Sequence, residues 1–167
     1  MFHTNRTFDV LYTGYENDGS TVIDADLPVG ACVCTVEGAS SIDSETGLQK
    51  VTRPATANLV RARKLIVAAS DNLINVNSIP NASAPTKRKG GVVTVYDPCH
   101  PANQEVYALC ATSVEVYDSL VPADGSFALV DNDAADAADI EGAIVAYART
   151  ANASGSNALT KVRLMPQ

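Results

Sequence analysis

The end of this chain alternates, and alternation limits what it can fold into. Across residues 142–150, Ile144, Ala146 and Ala148 fall on one side of an extended backbone and Val145, Tyr147 and Arg149 on the other. Residues 159–165 repeat the pattern, with Val162 and Leu164 inward and Lys161 and Arg163 outward. Between them stand Asn152, Ser154, Gly155, Ser156 and Asn157, all turn formers. Two amphipathic strands joined by a polar turn read as a closing hairpin, and its apolar face needs other strands to cover it. The hairpin implies a β-rich domain and discloses no activity.

The rest of the chain continues in the same manner. Extended segments are expected at residues 10–15, 21–25, 29–37, 49–53, 59–69, 92–96, 105–111, 113–117 and 127–130, where β-branched and aromatic residues recur between Gly, Pro, Asn and Asp breaks. Leu27-Pro28 is read as a break between strands, and 121–125 as a turn. Residues 38–47 are too poor in large apolar side chains to pack. Residues 80–91, with two prolines, two glycines and the cations Lys87, Arg88 and Lys89, read as a loop. One segment has helical character: Asp133 is placed as N-cap, Asp136 lies near the positive helix end, and Gly142 is placed to stop it. The expected fold is therefore mainly β, a single barrel or sandwich domain over residues 10–167 with one short helix near 133–141. Residues 1–9 form an N-terminal arm, in which Phe2 and Phe8 either dock on a neighbouring surface or, for Phe8, tuck into the chain's own core.

Charge narrows the partners. The net charge is −7, which argues against nucleic acid, because phosphate contacts need clustered cations. Eight of the twelve Lys and Arg residues nevertheless fall between Lys50 and Lys89, against one acid there, Asp71. Arg61 and Arg63 share one side of an extended run, and with Lys87 and Arg88 they are candidates for electrostatic contact with another subunit or a larger surface; the alternative is that these charges solvate separate loops. No leader with an apolar core is legible at the start, and no apolar run approaches the roughly 20 residues of a membrane span. The expectation is a chain made in a cytoplasm, without a membrane partner. Cys32 and Cys34, two apart in an extended run, face the same way and read as buried free thiols, since the spacing lacks the paired pattern of a zinc site.

Catalytic chemistry finds few materials. His3 and His100 are the only histidines, and Cys99 and His100 are adjacent, so an extended backbone points their side chains apart when a nucleophile and base need about 3 Å between them. The acidic run Asp131, Asp133, Asp136, Asp139 and Glu141 has alanines where a calcium loop places ligands or glycine, and reads as a solvated face. Phosphate-cradling glycine motifs are absent, and the aromatics lack basic interleaving. No catalytic residue, metal site or cofactor is expected.

The order of segments in the second half, Lys64-Leu-Ile-Val-Ala-Ala69, Gly-Gly-Val-Val-Thr-Val-Tyr-Asp-Pro at 90–98, an Ala/Asp-rich stretch at 131–141, Gly142-Ala-Ile-Val-Ala-Tyr-Ala148, a Ser/Gly turn and Lys161-Val-Arg-Leu164, resembles the head decoration, or cement, proteins of tailed bacteriophages. The resemblance implies a barrel-like or β-tulip-like core and a homotrimer on the exterior of a capsid, bound to the major capsid protein and cementing adjacent capsomers. Phe2, Phe8, Arg61, Arg63, Lys87 and Arg88 are then the candidates for capsid or subunit contact. A receptor- or glycan-binding β-sandwich displayed on a virion or cell is the alternative, and it requires an exposed aromatic patch.

Overall fold

The computed structural model describes residues 7–12, 27–39, 41–54, 64–67, 86–87, 92–96, 105–111, 113–135, 144–153 and 157–165. These form twelve strands: β1 (Thr7–Tyr12), β2 (Leu27–Pro28), β3 (Cys32–Thr35), β4 (Lys50–Thr52), β5 (Lys64–Ile66), β6 (Thr86–Lys87), β7 (Val92–Tyr96), β8 (Glu105–Cys110), β9 (Ser119–Pro122), β10 (Leu129–Asp131), β11 (Ala146–Ala148) and β12 (Ala158–Leu164). The fold is mainly β, as expected, and of the two architectures left open the second half takes the barrel.

The first five-stranded sheet has the order β5-β3-β4-β1-β7, with β1 and β4 parallel and the other pairs antiparallel. A bridge between Val67 and Val95 joins its outermost strands, so the sheet curls back on itself. Ala31, Val33, Val51, Val67, Val93 and Val95 pack together on one side, with the half-buried ring of Phe127 against them. Their strand neighbours Cys32, Ile66 and Tyr96 belong instead to the core of the second unit. Residues one apart point to opposite faces, so this sheet is apolar on both sides and forms a wall shared by two cores.

The second unit is a closed barrel in the order β10-β8-β12-β11-β9, parallel between β8 and β10 and antiparallel elsewhere. Its inward residues are Val106, Ala108, Cys110, Leu120, Leu129, Ala146, Ala148, Val162 and Leu164. A barrel of few strands has a narrow interior, and the alanines on β8 and β11 fit the space that leaves. The expected closing hairpin is present: β11 and β12 pair antiparallel from Ala146 opposite Leu164 to Ala148 opposite Val162. Val162 and Leu164 point inward as their alternation requires.

Gly30 joins the two units. Its φ is +80°, its N–H donates to Val67 O at 3.1 Å, and its carbonyl accepts from Leu109 N of β8 at 2.9 Å. A Cβ there would lie 2.6 Å from Leu159 Cδ2 and 3.1 Å from Tyr107 O, so conformation and space both demand glycine. Arg53 adds a second tie: its Nη1 donates to Gly125 O at 2.9 Å and its guanidinium lies 4.7 Å from the centre of the Phe127 ring.

Several local expectations are corrected. Residues 132–134 form a turn after β10, closed by Ala134 N to Asp131 O at 3.1 Å, and no helix is seen among the described residues; most of the stretch 133–141 expected to be helical lies outside them. The Asp133 N–H is itself taken by Asp131 Oδ1 at 3.2 Å, and Asp136 and Gly142, the other residues of the expected helix, lie outside the described residues. Residues 113–117 are not a strand: Val114 makes a single bridge to Asn152, and the chain then turns. Val121 and Pro122 belong to β9, with the turn displaced to 123–126 around Gly125 at φ +61°. Leu27-Pro28 pairs with Thr86-Lys87 inside the stretch read as loop, a two-residue ladder short enough to tolerate a proline. Asn152, read as a turn residue, is buried, and its Nδ2 donates to Cys110 O at 3.4 Å.

Candidate interaction surface

The closed barrel leaves an outer face. On β8, β11 and β12 the residues between the inward ones are Glu105 and Tyr107, Tyr147, and Lys161 and Arg163, and Arg149 follows Ala148 in the same phase. Register places Tyr107 opposite Lys161, Glu105 opposite Arg163, and Arg163 opposite Tyr147. Gly30 covers the far end of this face at Leu109 and Leu159. The end around Glu105 stays open to solvent.

Glu105 organises that open end. Its Oε1 accepts from Arg149 Nε at 3.2 Å and its Oε2 meets Lys161 Nζ at 2.6 Å, so one carboxylate ties three adjacent strands. The Lys161 hydrogen bond foremost, with Arg149 adding to it, holds the Glu105 carboxyl below the usual carboxylate range. All three side chains are about one-third exposed, so the network orders the surface more than it stabilises the fold.

Beside it stands the turn at residues 115–118. Glu115 N donates to Asp118 Oδ2 at 2.6 Å, Tyr117 N to Ala148 O at 2.9 Å, and Ala148 N to Asp118 O at 2.9 Å. These bonds hold Tyr117 at φ +79°, the one non-glycine residue at positive φ among those described. A tyrosine gains nothing locally from that conformation. The result is a ring 71% exposed next to Val116 at 43%, with the Arg149 guanidinium 5.6 Å from its centroid. A strained, outward aromatic backed by arginine is the composition of a contact hot spot.

The residues singled out from sequence are not brought together. Phe8 lies in β1 opposite Val95, and Lys87 in β6 opposite Leu27, on different sheets. Phe2, Arg61, Arg63 and Arg88 lie outside the described residues, as do Cys99 and His100. The expected arm over 1–9 overlaps β1 from Thr7 onward. Within the basic stretch, Lys50 reaches Asp43 at 3.9 Å and Arg53 is engaged by Gly125 and Phe127, so both cations act within the chain. Sequence reasoning missed the group Glu105, Tyr117 and Arg149. Its signal was the outward phase of Lys161 and Arg163, but which strands flank them is a matter of register.

Cys32, Cys34 and Cys110 are buried free thiols, in line with the reading of the first two. Burial pushes the Cys110 thiol up to about 11, which keeps it protonated and unreactive at neutral pH. Among the described residues no group of three or more His, Cys, Asp or Glu side chains is placed to hold a metal. No described helix is long and apolar enough to cross a membrane.

No protein-family model matches the chain, and no curated protein matches it. Among solved structures it is similar to the head fiber gp8.5 N base of bacteriophage phi29, at 12% identity over 98% of this chain and 97% of that one, with a TM-score of 0.48. A score at this level does not establish a common fold, and the architecture described above rests on this chain's own strands.

Proposed function

We propose that this chain is a structural protein of a phage virion, which binds the outside of the major capsid shell as a homotrimer and cements adjacent capsomers without making or breaking a bond. What carries the reading is that the segments behind the resemblance to head decoration proteins are strands: residues 64–69 supply β5, 90–98 supply β7, and the closing pair supplies β11 and β12 of a closed barrel. Closure suits a protein displayed at high density, because a barrel offers no free strand edge to its neighbours.

The mechanism is linkage. A protein that binds the assembled shell and not its separated parts stabilises the shell by an amount that grows with the logarithm of its free concentration. Copies that bridge capsomers add through multivalency, so weak single contacts suffice. The chain is made in the host cytoplasm and resides on the capsid exterior, with Phe2, Phe8, Arg61, Arg63, Lys87 and Arg88 among the proposed contacts. The glycan-binding alternative needs several exposed rings on one surface. On the described outer face of the barrel Tyr117 is exposed, while Tyr107 and Tyr147 are half-buried.

Particles heated with and without the protein test the proposal. Decorated shells rupture at a higher temperature and carry the protein with them when sedimented. Equal rupture temperatures, or protein left in the supernatant, would overturn it.

A further inference from the structure

The ladders of the barrel set each of its cations beside a tyrosine. Arg149 lies over the Tyr117 ring at 5.6 Å, Lys161 stands opposite Tyr107, and Arg163 stands opposite Tyr147. Residues 105–165 contain no other Lys or Arg, so every cation of this half belongs to one outer face. The chain in one dimension shows aromatics without basic interleaving; the interleaving arises across strands, where alternation does not name the neighbour.

The face already takes one carboxylate. Arg149 Nε and Lys161 Nζ hold Glu105, at 3.2 and 2.6 Å. The Nη groups of Arg149 make no hydrogen bond among the described residues, and Arg163 makes neither a hydrogen bond nor an ion pair among them. Such guanidinium forks match a further carboxylate, taken through two parallel N–H bonds. Arg149 and Arg163 are half-buried, and backbone bonds to Ala148 hold Tyr117 where it is exposed, so docking orders little that is not ordered already. Two other partners fit less well. A net charge of −7 repels a nucleic acid strand, and the half-buried Tyr107 and Tyr147 leave little ring for bases to stack on. The same charge opposes the approach of a second copy.

We infer that this face, Tyr117 with Arg149, Lys161 and Arg163, is the surface that docks on the capsid shell, and that it takes carboxylate side chains of the major capsid protein there. The Tyr117 ring and Val116 supply apolar contact at its edge, and tyrosine and arginine together are the residues on which protein–protein contacts most often depend. The positive φ of Tyr117 then has a use, since it turns the ring outward to where a partner covers it. Cations gathered on one face also orient the docking of a chain that is acidic as a whole. The inference rests on the proposed capsid reading and adds to it the docking face and the chemistry that face meets.

Co-sedimentation of the protein with undecorated shells over a range of salt concentrations tests it. The wild type binds at low salt and is released as salt screens the contact. Arg163→Gln and Tyr117→Gly each weaken binding by about tenfold, whereas Lys50→Gln, at a cation already turned toward Asp43, leaves it unchanged. The two weakening variants alter different segments, so a folding defect in one, seen as a lost cooperative melt, leaves the other to decide. If wild type and both variants bind shells equally, the inference is overturned and the capsid reading stands. If the wild type stays in the supernatant at every salt concentration, both fall. A change in the sedimentation coefficient of the free protein on Arg163→Gln, with shell binding intact, also overturns the inference, by giving this face to a second copy. Retention on single-stranded DNA that Arg163→Gln abolishes overturns it in favour of nucleic acid.

Discussion

The guanidinium of Arg149 lies 5.6 Å from the centre of the Tyr117 ring while its Nε donates to Glu105 at 3.2 Å. The arginine therefore connects two features that are otherwise separate, a strained turn and a charged barrel face. Tyr117 is held at positive φ by backbone bonds to Ala148, the residue that precedes Arg149, so strand β11 fixes both the ring and the cation above it.

That geometry predicts an inverted order of substitutions at Tyr117. Glycine relieves the positive φ, while alanine keeps the strain and also loses the ring. Tyr117→Gly is expected to be more stable than Tyr117→Ala by about 1 kcal/mol. Urea midpoints with an unchanged slope measure the difference. If alanine proves equal or better, the positive φ at this turn is wrong.

Gly30 gives a prediction with its own control. Gly30 and Gly38 both have positive φ, at +80° and +87°, but a Cβ at Gly38 meets nothing within 4 Å whereas one at Gly30 strikes Leu159 and the backbone of β8. Gly38→Ala is expected to cost about 1 kcal/mol, from conformation alone. Gly30→Ala adds overpacking of about 1–3 kcal/mol and loosens the junction of the two units. Equal losses in denaturant titrations of the two variants would show that Gly30 is not a packed junction.

How far the sequence foretold this structure depends on how local each feature is. The inward phase of Val162 and Leu164 and the extent of β7 were legible, because alternation and β-branched composition act within a few residues. The Tyr117 turn was not. Val114, Glu115, Val116 and Tyr117 alternate like a strand, and what breaks them is the Asp118 carboxylate taking the Glu115 N–H, a side-chain bond that competes with a ladder. The Glu105 network was hidden for a different reason. Residues 105, 149 and 161 become neighbours only through the order β8-β12-β11, and alternation gives a strand's faces without naming its partners. Proline in β2 and β9 misled in the opposite direction, since a short ladder or a strand end has no need of the missing N–H.

The Glu105 network carries a pH signature. Its folded carboxyl is held below the ordinary value of 4.5 by Lys161 and Arg149, so the stabilisation is present above 4.5 and is lost as pH falls through the lower folded value. Glu105→Gln is therefore expected to melt below the wild type at pH 7 and to converge with it in acid. Added salt should narrow the gap at pH 7, because the group is exposed. Thermal melts from pH 7 downward, through and below the ordinary value of 4.5, supply the measurement. A gap that persists unchanged in acid would mean that the loss comes from packing and not from charge.

Cys110 sets the opposite, alkaline limit. Burial raises its folded thiol from 9.0 to about 11, with a Thr160 hydrogen bond opposing only in part. Unfolded chains then shed this proton at a pH where folded ones keep it. The contribution to stability is full below 9.0 and is lost as pH rises toward about 11. Wild-type melting temperature should fall over that window more steeply than that of Cys110→Ala, which starts lower because a cavity replaces the sulfur but lacks the titration. The same burial predicts that a thiol reagent at pH 8 labels Cys110 only as fast as the barrel opens, so that denaturant accelerates labelling in proportion to the unfolded fraction. Rapid labelling of the native protein would place this sulfur outside the core between β8 and Thr160, and the barrel interior would have to be redrawn.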